Sequence, residues 1–128
     1  MKIENIKFKA KRLDNGEWCE GYFYKENGNT YIIENRQKES LLNRNVTYEV
    51  DHSTVCRFTG LKDSKGQEIW EGDILAGEIK CEIVFTKGTF ATYNICEGKV
   101  YSYPLCYFVK EDGTVDSKVV GNKFDKEK

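Results

Sequence analysis

Apolar and polar residues alternate with a period of two along much of this chain. Ile6, Phe8 and Ala10 interleave with Lys7, Lys9 and Lys11, the pattern of a strand with one face in water. Asp14-Asn15-Gly16 then supplies turn chemistry, and residues 18–24 are rich in the aromatics that favour strands. After Asn27-Gly28-Asn29 comes a short run at Tyr31-Ile32-Ile33, so the first third reads as a β-meander. Residues 34–45 are polar apart from Leu41 and Leu42, a surface loop or one short helix. Alternation resumes at Val46, Tyr48 and Val50, and residues 54–58 predict a further strand after Asp51-His52-Ser53.

The second half repeats this grammar. Asp63-Ser64-Lys65-Gly66 and Glu71-Gly72-Asp73 are turns on either side of Ile69 and Trp70. Ile79, Cys81, Ile83 and Phe85 alternate, Thr86-Lys87-Gly88 turns, and residues 90–95 form the next strand. Tyr101, Tyr103, Leu105, Tyr107 and Val109 would share one face if that run is extended, with Pro104 marking an edge or bulged strand. The prediction is a mostly β chain: an N-terminal β-meander, then a small β-barrel, an SH3-like one being a form the pattern admits, with at most one or two short helical turns. It is read as one domain over 1–128, divisible into a meander at 1–58 and a barrel at 59–124. With one gap, Asn15-Gly16-Glu17-Trp18-Cys19-Glu20-Gly21 faintly echoes Lys65-Gly66-Gln67-Glu68-Ile69-Trp70-Glu71-Gly72, which admits a duplicated β-unit, although two aromatic hairpins converge on such text easily.

Composition narrows the partners more than the fold. Aromatic residues are 13 % of the chain, so the core is expected to be aromatic-rich. Twenty Lys and Arg against 21 Asp and Glu leave no net field to attract a polyanion. No apolar run approaches the roughly 20 residues that cross a bilayer, and the start lacks a signal-peptide stretch, so no membrane partner and a cytosolic location are expected. Cys19, Cys56, Cys81, Cys96 and Cys106 form no Cys-x-x-Cys pair, which predicts reduced, mostly buried thiols and no metal or other cofactor.

Candidate chemistry is sparse. His52, the one histidine, sits between Asp51 and Ser53, but consecutive side chains of an extended segment point apart and cannot form a triad, so a turn histidine is expected. Cys56 reads as a structural thiol. No catalytic residue is assigned, and the chain is read as not an enzyme. Lys7, Lys9 and Lys11, with Arg12 nearby, form the one local basic stripe, either a phosphate contact or the solvated face of an amphipathic strand, at an edge or not, protected by lysines. Tyr22 and Tyr24 flank Phe23 and could add a base-stacking surface. In the stretch from Thr59 to Ile74, Asp63 is expected to accept turn amides, an exposed bond worth about 1 kcal/mol, and Gly66 and Gly72 to turn the chain. That is the chemistry of a corner.

Phe58-Thr59-Gly60-Leu61-Lys62-Asp63, then Gly66-Gln67-Glu68-Ile69-Trp70-Glu71-Gly72-Asp73-Ile74, closely resembles the signature of the YopX family. The likeness runs from Ile6-Lys7-Phe8-Lys9-Ala10 and Trp18 through Gly21-Tyr22 to Val119-Val120-Gly121-Asn122. The resemblance implies a phage or prophage gene, a bacterial cytoplasm and a β-rich domain for which self-association is an open option; it brings no activity and no binding residues. Thr59, Gly60, Leu61, Asp63, Gly66, Glu71, Gly72 and Asp73 are therefore expected to build a mainly structural turn, while Lys7, Lys9, Lys11, Tyr101, Tyr103 and Tyr107 are the candidate interaction surface. The leading expectation is a non-catalytic interaction protein that works as a homo-oligomer or on a phage or host protein. A nucleic-acid-associated module is the alternative, and an enzyme built from convergent carboxylates comes third.

Overall fold

A computed structural model describes residues 2–35, 45–77 and 80–125. Leu41, Leu42, Ile79 and the tail at 126–128 lie outside the described residues. The chain is mostly β with almost no helix, and it divides into two compact units, Met1–Arg57 and Phe58–Lys128.

The first unit holds β1 (Phe8–Lys11), β2 (Trp18–Glu26), β3 (Asn29–Asn35) and β4 (Asn45–Val50), an antiparallel meander as the alternation predicts. The start of β5 (Cys56–Asp63) pairs with β1 through Cys56 and Arg57. β1 therefore has neighbours on both sides, so the lysine-bearing strand is not an edge, one of the forms the sequence had left open. Ala10, Cys19, Ile32 and Val50 are buried together, with Phe8, Tyr48 and Val55 packed against them. One close approach holds the meander together: a Cβ at Gly21 would collide with the carbonyl of Ile33 on β3.

In the second unit the rest of β5 pairs antiparallel with β6 (Glu68–Trp70) and parallel with β11 (Thr114–Val115). A five-stranded antiparallel sheet runs β10-β9-β8-β7-β12, comprising β7 (Asp73–Ala76), β8 (Lys80–Thr86), β9 (Thr89–Cys96), β10 (Lys99–Pro104) and β12 (Lys118–Asn122). Among the described residues β10 and β12 end this sheet without pairing with each other, so the expected barrel is not closed. Two-residue turns at Lys87-Gly88 and Glu97-Gly98 join β8 to β9 and β9 to β10. Ile69, Leu75, Ile83, Leu105 and Val115 form the core.

Three expectations change. Short 3-10 segments number three among the described residues, at Ile3–Asn5, His52–Thr54 and Leu105–Phe108, one more than foreseen. The last of these ends the tyrosine run at Pro104 and turns Leu105 into the core, so Tyr107 and Val109 do not continue the strand. The cores are also mainly aliphatic: of the fully buried large side chains none is aromatic, while Tyr22, Phe23, Tyr93, Tyr101, Tyr103 and Tyr107 are exposed. Phe58 and Trp70 are the buried ring pair, 5.1 Å apart.

Because the obstacle at Gly21 is backbone and cannot swing aside, Gly21→Ala is expected to cost about 2 to 4 kcal/mol. A urea unfolding midpoint equal to that of the unaltered chain would show that β2 and β3 can part without loss.

Candidate functional site

The signature stretch builds a corner whose carboxylates are occupied by backbone. Asp63, 1 % exposed, accepts at Oδ1 from the Lys65 and Gln67 amides, both at 2.8 Å, and at Oδ2 from the Val119 amide at 2.9 Å. The turn between β5 and β6 is thus tied to the first residues of β12, and Ser64 reinforces it by donating to the Ser117 carbonyl. Burial pushes the Asp63 pKa upward, but the amides of Val119, Gln67, Lys65 and Gly66 outweigh it and hold the carboxyl below its ordinary value. Asp63 is therefore not the exposed turn acceptor that was expected. Thr59 donates to the Ile69 carbonyl at 2.7 Å and accepts from the Leu61 amide, bridging the register shift between Phe58–Trp70 and Lys62–Glu68 at Gly60.

A second clasp lies beside the first. Asp73, 2 % exposed, accepts from the Trp70 amide at 2.7 Å and from Asn122 Nδ2 at 3.0 Å. Asn122 also reaches the Glu71 carbonyl and accepts from the Phe124 amide, so one side chain closes β12 onto the turn before β7. Gly72 sits at φ +88°, its amide on the Ile83 carbonyl, and a Cβ there would stand 3.2 Å from Asn122 Nδ2. Asn122 is the site residue whose role sequence reasoning missed. Its signal was its place in the closing Val119-Val120-Gly121-Asn122, but nothing in that text names Asp73 as its partner.

The lysine stripe lies in the first unit. Register places Lys9 beside Glu20, Lys11 beside Trp18, Tyr22 beside Ile33 and Tyr24 beside Tyr31, all on the face opposite the buried core. Lys7 Nζ is 3.4 Å from Glu20, while Lys9 and Lys11 stand 4.6 and 5.1 Å from the centre of the Trp18 ring. Tyr24 and Tyr31 stack at 5.0 Å. Basic and aromatic residues thus share an open sheet face, with the ammonium groups already held by a carboxylate and an indole.

The tyrosines lie in the second unit and converge on a cleft of about 780 Å³. Tyr101 and Tyr103 project from one face of β10, beside Asn94 and Thr92 of β9. Tyr107 and Phe108 enter from the 3-10 turn, and Lys110 and Asp116 bring charge to the rim. Tyr101, Tyr103 and Tyr107 are 41 %, 47 % and 71 % exposed, so the candidate surface gathers there rather than along one strand.

His52 is exposed in its turn, and the carboxylate of Asp51 is engaged by the amide and hydroxyl of Ser53 at 3.0 and 2.8 Å. Cys56 is buried with its sulfur 3.2 Å from the Thr54 carbonyl. Burial raises the Cys19 thiol to about 11 and lifts that of Cys81. Cys96 and Cys106 are exposed, contrary to the expectation of mostly buried thiols, because the first ends a strand and the second lies on the 3-10 turn. Among the described residues no three His, Cys, Asp or Glu side chains gather as metal ligands, and no helix is long and apolar enough to cross a membrane.

These features define a mostly β protein of two sheets whose buried polar cluster is structural and which leaves several large aromatics exposed, among them Tyr22, Phe23, Tyr101, Tyr103 and Tyr107. The family model described as YopX protein matches residues 7–127, and the chain belongs to the YopX family. No curated protein and no solved structure matches it.

Removing the Asp63 carboxylate strands three backbone donors, so Asp63→Ala is expected to cost about 3 to 5 kcal/mol in chemical unfolding. A folded-state pKa below the unfolded one gives stability that is complete above about pH 5 and disappears as the pH falls through the folded pKa. The stability gap between the unaltered chain and Asp63→Asn should therefore shrink on acidification; a gap constant from neutral pH to about pH 3 would mean that the carboxyl is not held ionised by those amides.

Proposed function

We propose that this chain is a non-catalytic interaction domain, an accessory protein of phage or prophage type acting in the bacterial cytoplasm, that binds protein partners, its own copies included, through the aromatic cleft beside β10. The observation that carries the reading is the cleft: Tyr101, Tyr103, Tyr107 and Phe108 stand exposed around one concavity. Large rings in water are costly to leave uncovered and are enriched where proteins meet. The phage and cytoplasmic setting is what the family resemblance implies.

A second reading, a nucleic-acid-associated module, is favoured by one observation of its own. Lys9 and Lys11 share the open face of the first unit's sheet with Trp18, Tyr22 and Tyr24, and single strands bind where basic groups and ring faces alternate. The reading does not need a barrel. Against it stand Glu20 and Glu49, whose carboxylates lie on the same face.

For the first reading, size exclusion with light scattering and capture from phage-infected cells are the measurements. Tyr103→Ser and Tyr107→Ser should each weaken partner binding by about tenfold or more while the circular dichroism spectrum is kept. Loss of the folded spectrum would return these rings to a packing role. For the second, fluorescence anisotropy with a single-stranded oligonucleotide should give an affinity that falls steeply with salt, and the Lys7→Gln, Lys9→Gln, Lys11→Gln triple variant should flatten that dependence. Equal binding by the triple variant would sink it.

A further inference from the structure

The free edge of β10 carries a pattern that is complementary to itself. β10 ends its sheet, with β9 as its one strand neighbour among the described residues. Glu97 and Gly98 sit at φ 52° and 76°, the two-residue turn that makes Cys96 and Lys99 exchange both their backbone bonds. Alternation then assigns Tyr101 and Tyr103 to β9 as well, in keeping with the Tyr103 amide lying 3.3 Å from Thr92 Oγ1. The backbone groups of Val100 and Ser102 therefore point away from β9, along with the Pro104 carbonyl. Pro104 has no amide hydrogen, so only Val100 and Ser102 can both donate and accept at this edge.

We infer that two copies of this chain join edge to edge through β10, antiparallel and two-fold symmetric, with Tyr101 opposite Tyr101 and Val100 opposite Ser102. In this register each Val100–Ser102 pair exchanges two backbone bonds, and the symmetry axis generates the pair twice, so every donor at the edge is used. Pro104 falls opposite Gly98, inside the hairpin turn, where no ladder bond is required. Centring on Ser102 instead would set the Val100 carbonyl against the proline nitrogen, and centring on Val100 would run Ser102 into the turn. The proline thus selects one register and stops the pairing from extending.

Side chains favour the same arrangement. Tyr101 and its copy would form the close, non-bonded kind of cross-strand pair, and Lys99 of each copy would reach Tyr103 of the other, a cation beside a ring. Tyr101 and Tyr103 both line the cleft, so the axis would place the two clefts on one face of a continuous sheet. Val100, 58 % exposed, would lose its free edge. A second copy fits better than a foreign strand because the edge supplies its own complement. The inference rests on the proposed reading of this surface as a self-binding one, and it adds the partner and the register.

The test uses the full chain with the exposed Cys96 and Cys106 changed to serine. Directly opposed, non-bonded positions suit disulfide geometry, so Tyr101→Cys should oxidise to a covalent dimer, and a mixture of Lys99→Cys and Tyr103→Cys chains should form the mixed dimer in preference to either pure one. Ser102→Pro removes an outward amide without touching the β9 ladder, and it should turn the dimer mass in light scattering into a monomer mass with the folded spectrum kept. An oligomer that neither cross-links at Tyr101 nor responds to Ser102→Pro overturns this register and leaves the cleft reading standing. A monomer at micromolar concentration overturns β10 pairing, and the cleft reading is then judged by whether Tyr107→Ser abolishes capture of another protein.

Discussion

The second unit depends on a buried carboxylate whose hydrogen bonds go to backbone amides. Asp63 accepts them from its own turn and from Val119, 56 positions further on. Such a contact does what a longer strand would otherwise do. β6 has three residues and β11 two, too short for their ladders alone to fix them. Ionised oxygen is the acceptor that two or three buried amides hold most strongly, and each amide left without it would carry its full desolvation cost. Asp73 and Asn122 repeat the device at the entry to β7. The aliphatic core of Ile69, Leu75, Ile83, Leu105 and Val115 supplies the burial, and the two carboxylates decide which strands enclose it.

Much of the β architecture was legible because period-two alternation survives wherever one face is wet. β1, β4 and β8 match alternating runs with apolar residues on the core side, while β9 was placed by its strand-favouring residues although Tyr93 and Ile95 are exposed. β11 was not read, and a strand after Gly72-Asp73 and a closing strand near Asn122 were expected without bounds or register, for different physical reasons. Asp73-Ile74-Leu75-Ala76 is too short to show a period, β11 gains its place from parallel pairing with β5, and Gly121 interrupts β12 at a register shift. Pairing at long separation leaves no local mark. The barrel was expected from counts of strands and turns, which describe an open sheet equally well.

The tyrosine run was misread for a more instructive reason. Alternation at Tyr101 and Tyr103 is that of a strand, and Tyr107 and Val109 keep the same parity, yet the 3-10 turn at Leu105–Phe108 lies between. Pro104 was recognised as an edge signal, and β10 is indeed an edge, but the residue also ends the strand. Beyond it the chain folds back, burying Leu105 and gathering Tyr107 near Tyr101 and Tyr103. The aromatic content misled in the same way: rings were assigned to the core by their area, whereas the core was filled by Ile, Leu and Val.

These placements divide the roles. A carboxylate surrounded by three amides and held below its ordinary pKa has neither a proton to give nor a free lone pair aimed at a ligand, so Asp63 is unsuited to acid–base work in this conformation. Within the signature corner, Thr59, Asp63 and Asp73 thus have their side-chain chemistry committed internally. Groups still able to meet a partner stand outside the signature, on β10, on its succeeding turn and on the open face of the first unit. The same reasoning separates those two faces. Lys7 is held by Glu20, and Lys9 and Lys11 by the Trp18 ring, so a phosphate would have to compete with contacts already made. At β10 the outward amides of Val100 and Ser102 face no other strand among the described residues. A partner strand would there replace bonds to solvent without first breaking any ladder within the protein.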